Sequence, residues 1–156
     1  MSPSAQSRVD RQELEETFIQ VLGTTLRQLR RVADRSFVKL GLSSAMGTAL
    51  TIIARQEGMA QKDLAKELGV EGPTVVRLVD QLCARQLVSR EPTAADRRVR
   101  LLRATPKGHE MTRALTPLRS ALHTQALADV SDTRLQDCLR VLLACQKAAE
   151  SVENES

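Results

Sequence analysis

The chain has 156 residues, 42% of them hydrophobic, which suits one domain long enough to bury a real core. Its formal charge of +4 and basic pI hint at an anionic partner, while the absence of Trp and Tyr argues against recognition by base stacking on aromatic platforms. No apolar run is long enough to span a bilayer, the start MSPSAQSRVDR has no apolar export core, and Cys83, Cys138 and Cys145 form no CxxC pair, so reduced thiols and a cytoplasmic location are expected.

Residues 1–9 read as a disordered tail. From 10 to 40 the pattern is helical: Leu14, Phe18, Val21, Leu22, Leu29 and Val32 return every three or four residues, acids load the start and arginines the end. Gly41 stops this helix, and Ser43 or Ser44 caps a second whose Met46, Ala49, Leu50 and Ile53 share a face. QKDLAKELGVEGPTVVRLVDQLCARQ (61–86) then predicts two helices with almost no linker. Leu64, Ala65 and Leu68 face inward on the first, Gly69 makes the turn, and Gly72-Pro73 opens the second, whose inward face is Val75 or Val76, Val79 and Leu82. That is the spacing of a helix-turn-helix.

LVSRE (87–91) and RVRLLRA (98–104) alternate as strands around the turn EPTAADR, which predicts a hairpin, or wing. Thr105 and Pro106 start a helix that runs to about Asp129 and is interrupted or kinked at Pro117. Ser131 caps a last helix to about Val152, with Leu135, Cys138, Leu139, Val141, Leu142 and Cys145 on a broad apolar face. The fold class is mainly α with a small β-hairpin wing. A winged helix-turn-helix at 41–105 is flanked by helical regions at 10–40 and 106–152.

Charge is concentrated. Residues 85–107 hold seven basic groups (Arg85, Arg90, Arg97, Arg98, Arg100, Arg103 and Lys107) against Glu91 and Asp96, more than the net charge of the whole chain. Residues 129–156 are net acidic. A local basic patch on a wing beside a helix-turn-helix points to a binding surface rather than to general solubility.

The order of elements, with GVEGPTVVRLVDQL followed by LVSREPTAADRRVRLLRATPKGHEM, resembles the MarR family of bacterial winged-helix regulators, in particular its SlyA-like branch. The resemblance covers about residues 10–150, and the Asp-Arg-Arg wing followed by Thr-x-x-Gly is its most specific part. It implies a homodimer held by the first and last two helices, acting as a ligand-responsive repressor on a palindromic operator. Each recognition helix would lie in a major groove and each wing in the adjacent minor groove. It also implies a small anionic or aromatic effector between the dimer helices and the winged helix, and Arg97 as the wing-tip arginine. Gly72-Pro73 departs from the family's commoner polar start of the recognition helix and removes one phosphate-contacting side chain.

Residue chemistry leads to double-stranded DNA independently. Thr74, Arg77 and Gln81 share the outward side of the second helix; Arg77 can donate two bonds to guanine, and Thr74 with the free amides of the helix start suits a phosphate. The bland alternative for Arg77 is a surface residue paired with Asp80 or Gln81. Arg97 can enter the narrow, negative minor groove of A·T-rich DNA, oriented by Asp96. Arg98 and Arg100 share the strand side opposite Val99 and Leu101 and can face phosphates. Arg103 lies an odd number of residues away and falls outside this set. A winged helix used as a protein-interaction module without specific DNA binding is the competing function.

The apolar faces of the first and last helices are wider than a small winged helix can cover, which also predicts a homodimer. An effector pocket would draw on Phe18, Leu22, Arg27, Met46 and Leu50, all of which are also ordinary core or surface residues. Cys138 and Cys145 serve most simply as packing residues, and Cys83 is the better oxidant-sensor candidate. No ligand spacing suggests a metal, and no motif suggests an enzyme or a cofactor.

Overall fold

The computed structural model of the chain describes residues 5–92 and 100–154. Helix α1 spans Ala5–Phe37 and passes through a 3-10 turn, Val38–Leu40, into α2, Ser44–Arg55. Strand β1 (Met59–Ala60) leads directly into α3 (Gln61–Leu68), and α4 follows at Gly72–Ala84. The hairpin strands are β2 (Val88–Pro92) and β3 (Arg100–Ala104), and the chain ends in α5 (Pro106–Ala126) and α6 (Asp132–Asn154). No single helix among the described residues is long and apolar enough to cross a membrane.

The chain divides into two compact units, Met1–Leu122 and His123–Ser156. The first holds the core. Helix α2 supplies Met46, Ala49, Leu50 and Ile53; α3 supplies Leu64; α4 supplies Val75, Val79 and Leu82. Met59, Leu87, Val88 and Leu102 join them from the sheet and its approach, with Ala33 and Phe37 from α1 and Leu115 from α5. Full burial of each Leu, Ile, Val, Met or Phe side chain among them is worth about 2 kcal/mol. The choice between Val75 and Val76 falls to Val75, since Val76 is 45% exposed.

Local chemistry explains the joints. The Ser43 hydroxyl accepts the Met46 amide at 3.2 Å and caps α2, whereas the Ser44 amide donates to Asp34 Oδ1 at 2.6 Å and pins α2 to α1. Gly69 sits at φ 61°, a left-handed conformation that turns α3 into α4 and that only glycine adopts without strain. Thr105 Oγ1 accepts the Gly108 amide at 3.0 Å and donates to the Gln86 carbonyl at 2.7 Å, so one hydroxyl caps α5 and fastens it to the end of α4. Gly108 lies against the Leu87 carbonyl so closely that a Cβ there would collide with backbone.

Four expectations change. Residues 5–9 are helical rather than a tail, because no proline or glycine lies between Ala5 and Leu22 and extending an existing helix costs little. The sheet has three strands, not two, in the order β1-β3-β2, all antiparallel, with Met59 and Ala60 opposite Leu102 and Leu101. Of the two readings at Pro117 the interruption falls away, since helix α5 runs on through that residue. In α6, which the Ser131 hydroxyl caps by accepting the Arg134 amide at 3.5 Å, Leu139, Val141 and Leu142 are exposed, and so are Cys138 and Cys145. The two thiols are therefore not packed in a core of the single chain, and no described residue of α6 is buried there.

Candidate nucleic-acid interface

Helix α4 is amphipathic. Burial of Val75, Val79 and Leu82 at i, i+4 and i+7 fixes its rotation and turns Thr74, Arg77 and Gln81 outward together; all three are exposed. None of their side chains makes a hydrogen bond or ion pair with a described residue. The pairing of Arg77 with Asp80 does not occur, because Asp80 Oδ1 instead holds Arg90 Nη2 of β2 at 2.7 Å.

The start of α4 is less open to an anion than expected. Glu71 takes the N-cap position without a side-chain bond, Pro73 has no amide hydrogen, and the Thr74 and Val75 amides both donate to the Glu71 carbonyl at 3.1 and 3.3 Å. Only the Gly72 amide is left among these, next to a carboxylate, so the helix start is a poorer phosphate site than its position suggests.

Strand register sorts the hairpin arginines. Arg90 lies opposite Leu102 and Pro92 opposite Arg100, so Val88, Arg90, Arg100 and Leu102 share one face. That face meets the helices, since Arg90 Nε donates to Gln61 Oε1 of α3 at 3.1 Å while its other arm reaches Asp80. Arg100 is on this face beyond the end of the core, exposed, and without a hydrogen bond or ion pair to a described residue. It does lie opposite to Leu101, but the core residue of the pair is Leu102, not Leu101. On the other face Arg103 Nε donates to Glu91 Oε2 at 2.8 Å and Nη1 lies 4.0 Å from Glu57 Oε2. Glu57 also accepts the Ala104 amide at 3.2 Å and lies 3.2 Å from His109 Nε2.

Two further basic groups of 85–107, Arg85 and Lys107, are tethered as well. Lys107 Nζ donates to the Arg85 carbonyl at 3.0 Å and Arg85 Nη1 to the Gln81 carbonyl at 3.3 Å. Asp96, Arg97 and Arg98, the expected wing tip and its neighbour, lie outside the described residues. Of the described basic groups in this window, Arg100 alone has no partner among the described residues.

The residues expected around an effector separate. Met46 and Leu50 are buried in the core, whereas Phe18 and Leu22 are exposed on α1 and Arg27 donates to Thr24 Oγ1 at 2.9 Å. Cys83 is half-buried on α4; burial raises its thiol above the ordinary range, with Arg90 pulling it down and Asp80 pushing it up. The thiol is therefore protonated and poorly nucleophilic at neutral pH, which argues against a sensor there. No group of three or more His, Cys, Asp or Glu among the described residues could hold a metal ion.

Sequence reasoning missed Arg90. The signal was present: Arg90 has the same parity as buried Val88, and an arginine on the inward side of a strand requires an internal acceptor.

Comparison with known proteins matches residues 40–99 to a family model described as MarR family. Among solved structures, the transcriptional regulator PA3341 is 32% identical with a TM-score of 0.78, and the match covers 86% of this chain and 98% of that one. The transcriptional regulator SlyA is 19% identical with a TM-score of 0.81, covering 86% of this chain and 94% of its own. MepR of S. aureus, solved as a DNA complex, is 21% identical with a TM-score of 0.77, covering 84% and 97%.

Proposed function

Because the chain belongs to the MarR family of transcriptional regulators, we propose that it acts as a homodimeric repressor that reads a palindromic, A·T-rich DNA operator. One observation carries this reading: the outward side of α4 presents Thr74, Arg77 and Gln81 exposed and without partners among the described residues, beside a hairpin arginine, Arg100, of which the same holds. In this reading α4 enters the major groove, where the Arg77 fork donates to guanine and Thr74 and Gln81 contact neighbouring edges or phosphates. Arg100 meets a phosphate from the hairpin. Arg97 reaches into the minor groove with Asp96 orienting it, and Arg98 joins Arg100 on the backbone.

Exposed apolar side chains on α1 (Leu14, Phe18, Ile19, Leu26) and, separately, on α6 (Leu139, Leu142, Leu143) support self-association, since apolar faces of this extent mark interfaces. A two-fold dimer would set its recognition helices one DNA turn, about 34 Å, apart. A small anionic or aromatic effector belongs to this reading by family alone, as do an intracellular location and the absence of catalysis.

Selection of binding sites from random duplexes with the full-length protein, followed by footprinting and titration at several salt concentrations, tests the proposal. A palindromic site bound far more tightly than random DNA, with a steep salt dependence, is expected. Equal binding to selected and random duplexes by the folded protein would overturn it and favour a protein-interaction module.

A further inference from the structure

Asp80 creates a difficulty for a DNA-reading helix. It is a carboxylate, 56% exposed by its side chain, three residues after Arg77 on the same helix. Residues at i and i+3 are helix neighbours, so Asp80 is placed to capture the Arg77 guanidinium and to repel phosphates approaching α4.

The capture does not occur, and the geometry shows why. Arg90 reaches from β2 to Asp80 at 2.7 Å and is fixed a second time by Gln61 Oε1 at 3.1 Å. Its side chain is only 25% exposed, so this pair is better shielded from water and salt than a surface pair between Arg77 and Asp80. A planar guanidinium with two acceptors at fixed angles is also more ordered than one on an open helix surface.

We propose that Arg90 is a positioning residue for DNA reading: by occupying Asp80 it keeps Arg77 unpaired, and through Gln61 it ties α3, α4 and the hairpin into one reading head. This rests on the assignment of Arg77 to base contact. Arg90 itself touches no base.

The experiment uses the full-length protein and its selected operator at one salt concentration. Arg90→Met is expected to weaken operator binding roughly tenfold, the size of one good bidentate contact, and to relax preference at the base pair that Arg77→Ala relaxes. Adding Asp80→Asn to Arg90→Met removes the captor and is expected to restore most of the loss. Adding Arg90→Met to Arg77→Ala is expected to cost less than a further twofold. A double variant no better than Arg90→Met, or effects of Arg77→Ala and Arg90→Met that multiply, would overturn the proposal.

A second measurement needs no DNA. The Arg77 side-chain Nε–H, followed by NMR, is expected to be mobile in the wild type, ordered in Arg90→Met and mobile again once Asp80→Asn is added. Arg77 mobility that is unchanged by Arg90→Met overturns the proposal even if the chain binds no operator, whereas an operator failure with the expected NMR changes overturns only the DNA assignment. Should Arg90→Met unfold, Arg90→Gln, shorter and uncharged so that the ion pair to Asp80 is lost while the strand keeps a polar side chain beside Gln61, takes its place with the same expectations.

Discussion

The outer side of α4 and the base of the hairpin are both rich in polar and basic groups, yet they differ in what those groups are doing. On α4, Thr74, Arg77 and Gln81 are held in position only by the burial of Val75, Val79 and Leu82 behind them. At the hairpin base, Arg90 and Arg103 are bound to carboxylates, and Arg85 and Lys107 to backbone carbonyls. One region offers its donors outward; the other has spent them inside. Positive charge counted along a sequence therefore overstates what a surface can give to an anion, because a guanidinium already between two acceptors is support rather than reader.

The contrast can be broken first at the support. Gly108→Ala forces a methyl group against the Leu87 carbonyl and should destabilise the protein by about 3 kcal/mol, seen as a lower denaturant midpoint. A variant as stable as wild type would mean that the hairpin base yields easily. At the reader, Arg77→Ala should lower operator affinity by roughly tenfold and relax choice at one base pair, measured by fluorescence anisotropy against single-substitution operators. Equal loss on every sequence would reassign Arg77 to a phosphate.

The sharpest test sets two arginines of one strand against each other. Arg100→Ala should reduce the slope of log affinity against log salt by roughly 1, while Arg103→Ala should leave it unchanged and cost under about 1 kcal/mol of stability, its ion pair with Glu91 being about half exposed to water. Similar slopes for both variants would erase the distinction between free and spent charge. The smallest effect is expected at Cys83. Its raised thiol should alkylate more slowly in the folded protein than in the urea-unfolded chain at the same neutral pH, as peptide mapping after iodoacetamide would show. Since the folded value lies above the ordinary 9.0, this thiol costs no stability below that pH and destabilises the fold as pH rises beyond it. Alkylation of Cys83 in the folded protein as fast as in the unfolded chain would reopen the case for a sensor.

Much of the fold was legible because periodicity and punctuation agree. Leu64, Gly69 and Val75 predicted the α3–α4 turn, and Thr105-Pro106 the start of α5. The third strand was not legible: Met59–Ala60 is two residues long and pairs only with a segment about forty residues later. At the site, the outward trio on α4 could be read from helical spacing. The availability of each arginine could not, because it depends on Glu57, Asp80 and Gln61, which reach the hairpin only through the tertiary fold. Likewise, two adjacent leucines left the strand's inward parity open until Leu102 was found in the core and Leu101 at its margin.

The short strand β1 also bears on the order of assembly. It makes β3 the central strand of the sheet, and the chain between the two partners contains all of α3 and α4. Closing so long a segment costs entropy that is recovered once those helices have packed, so the local pair β2–β3 and the helices form early and the β1 pairing last. The hairpin gains its second flank when the helix-turn-helix is in place. A molecule with a fully supported wing is thus one whose reading head has already folded.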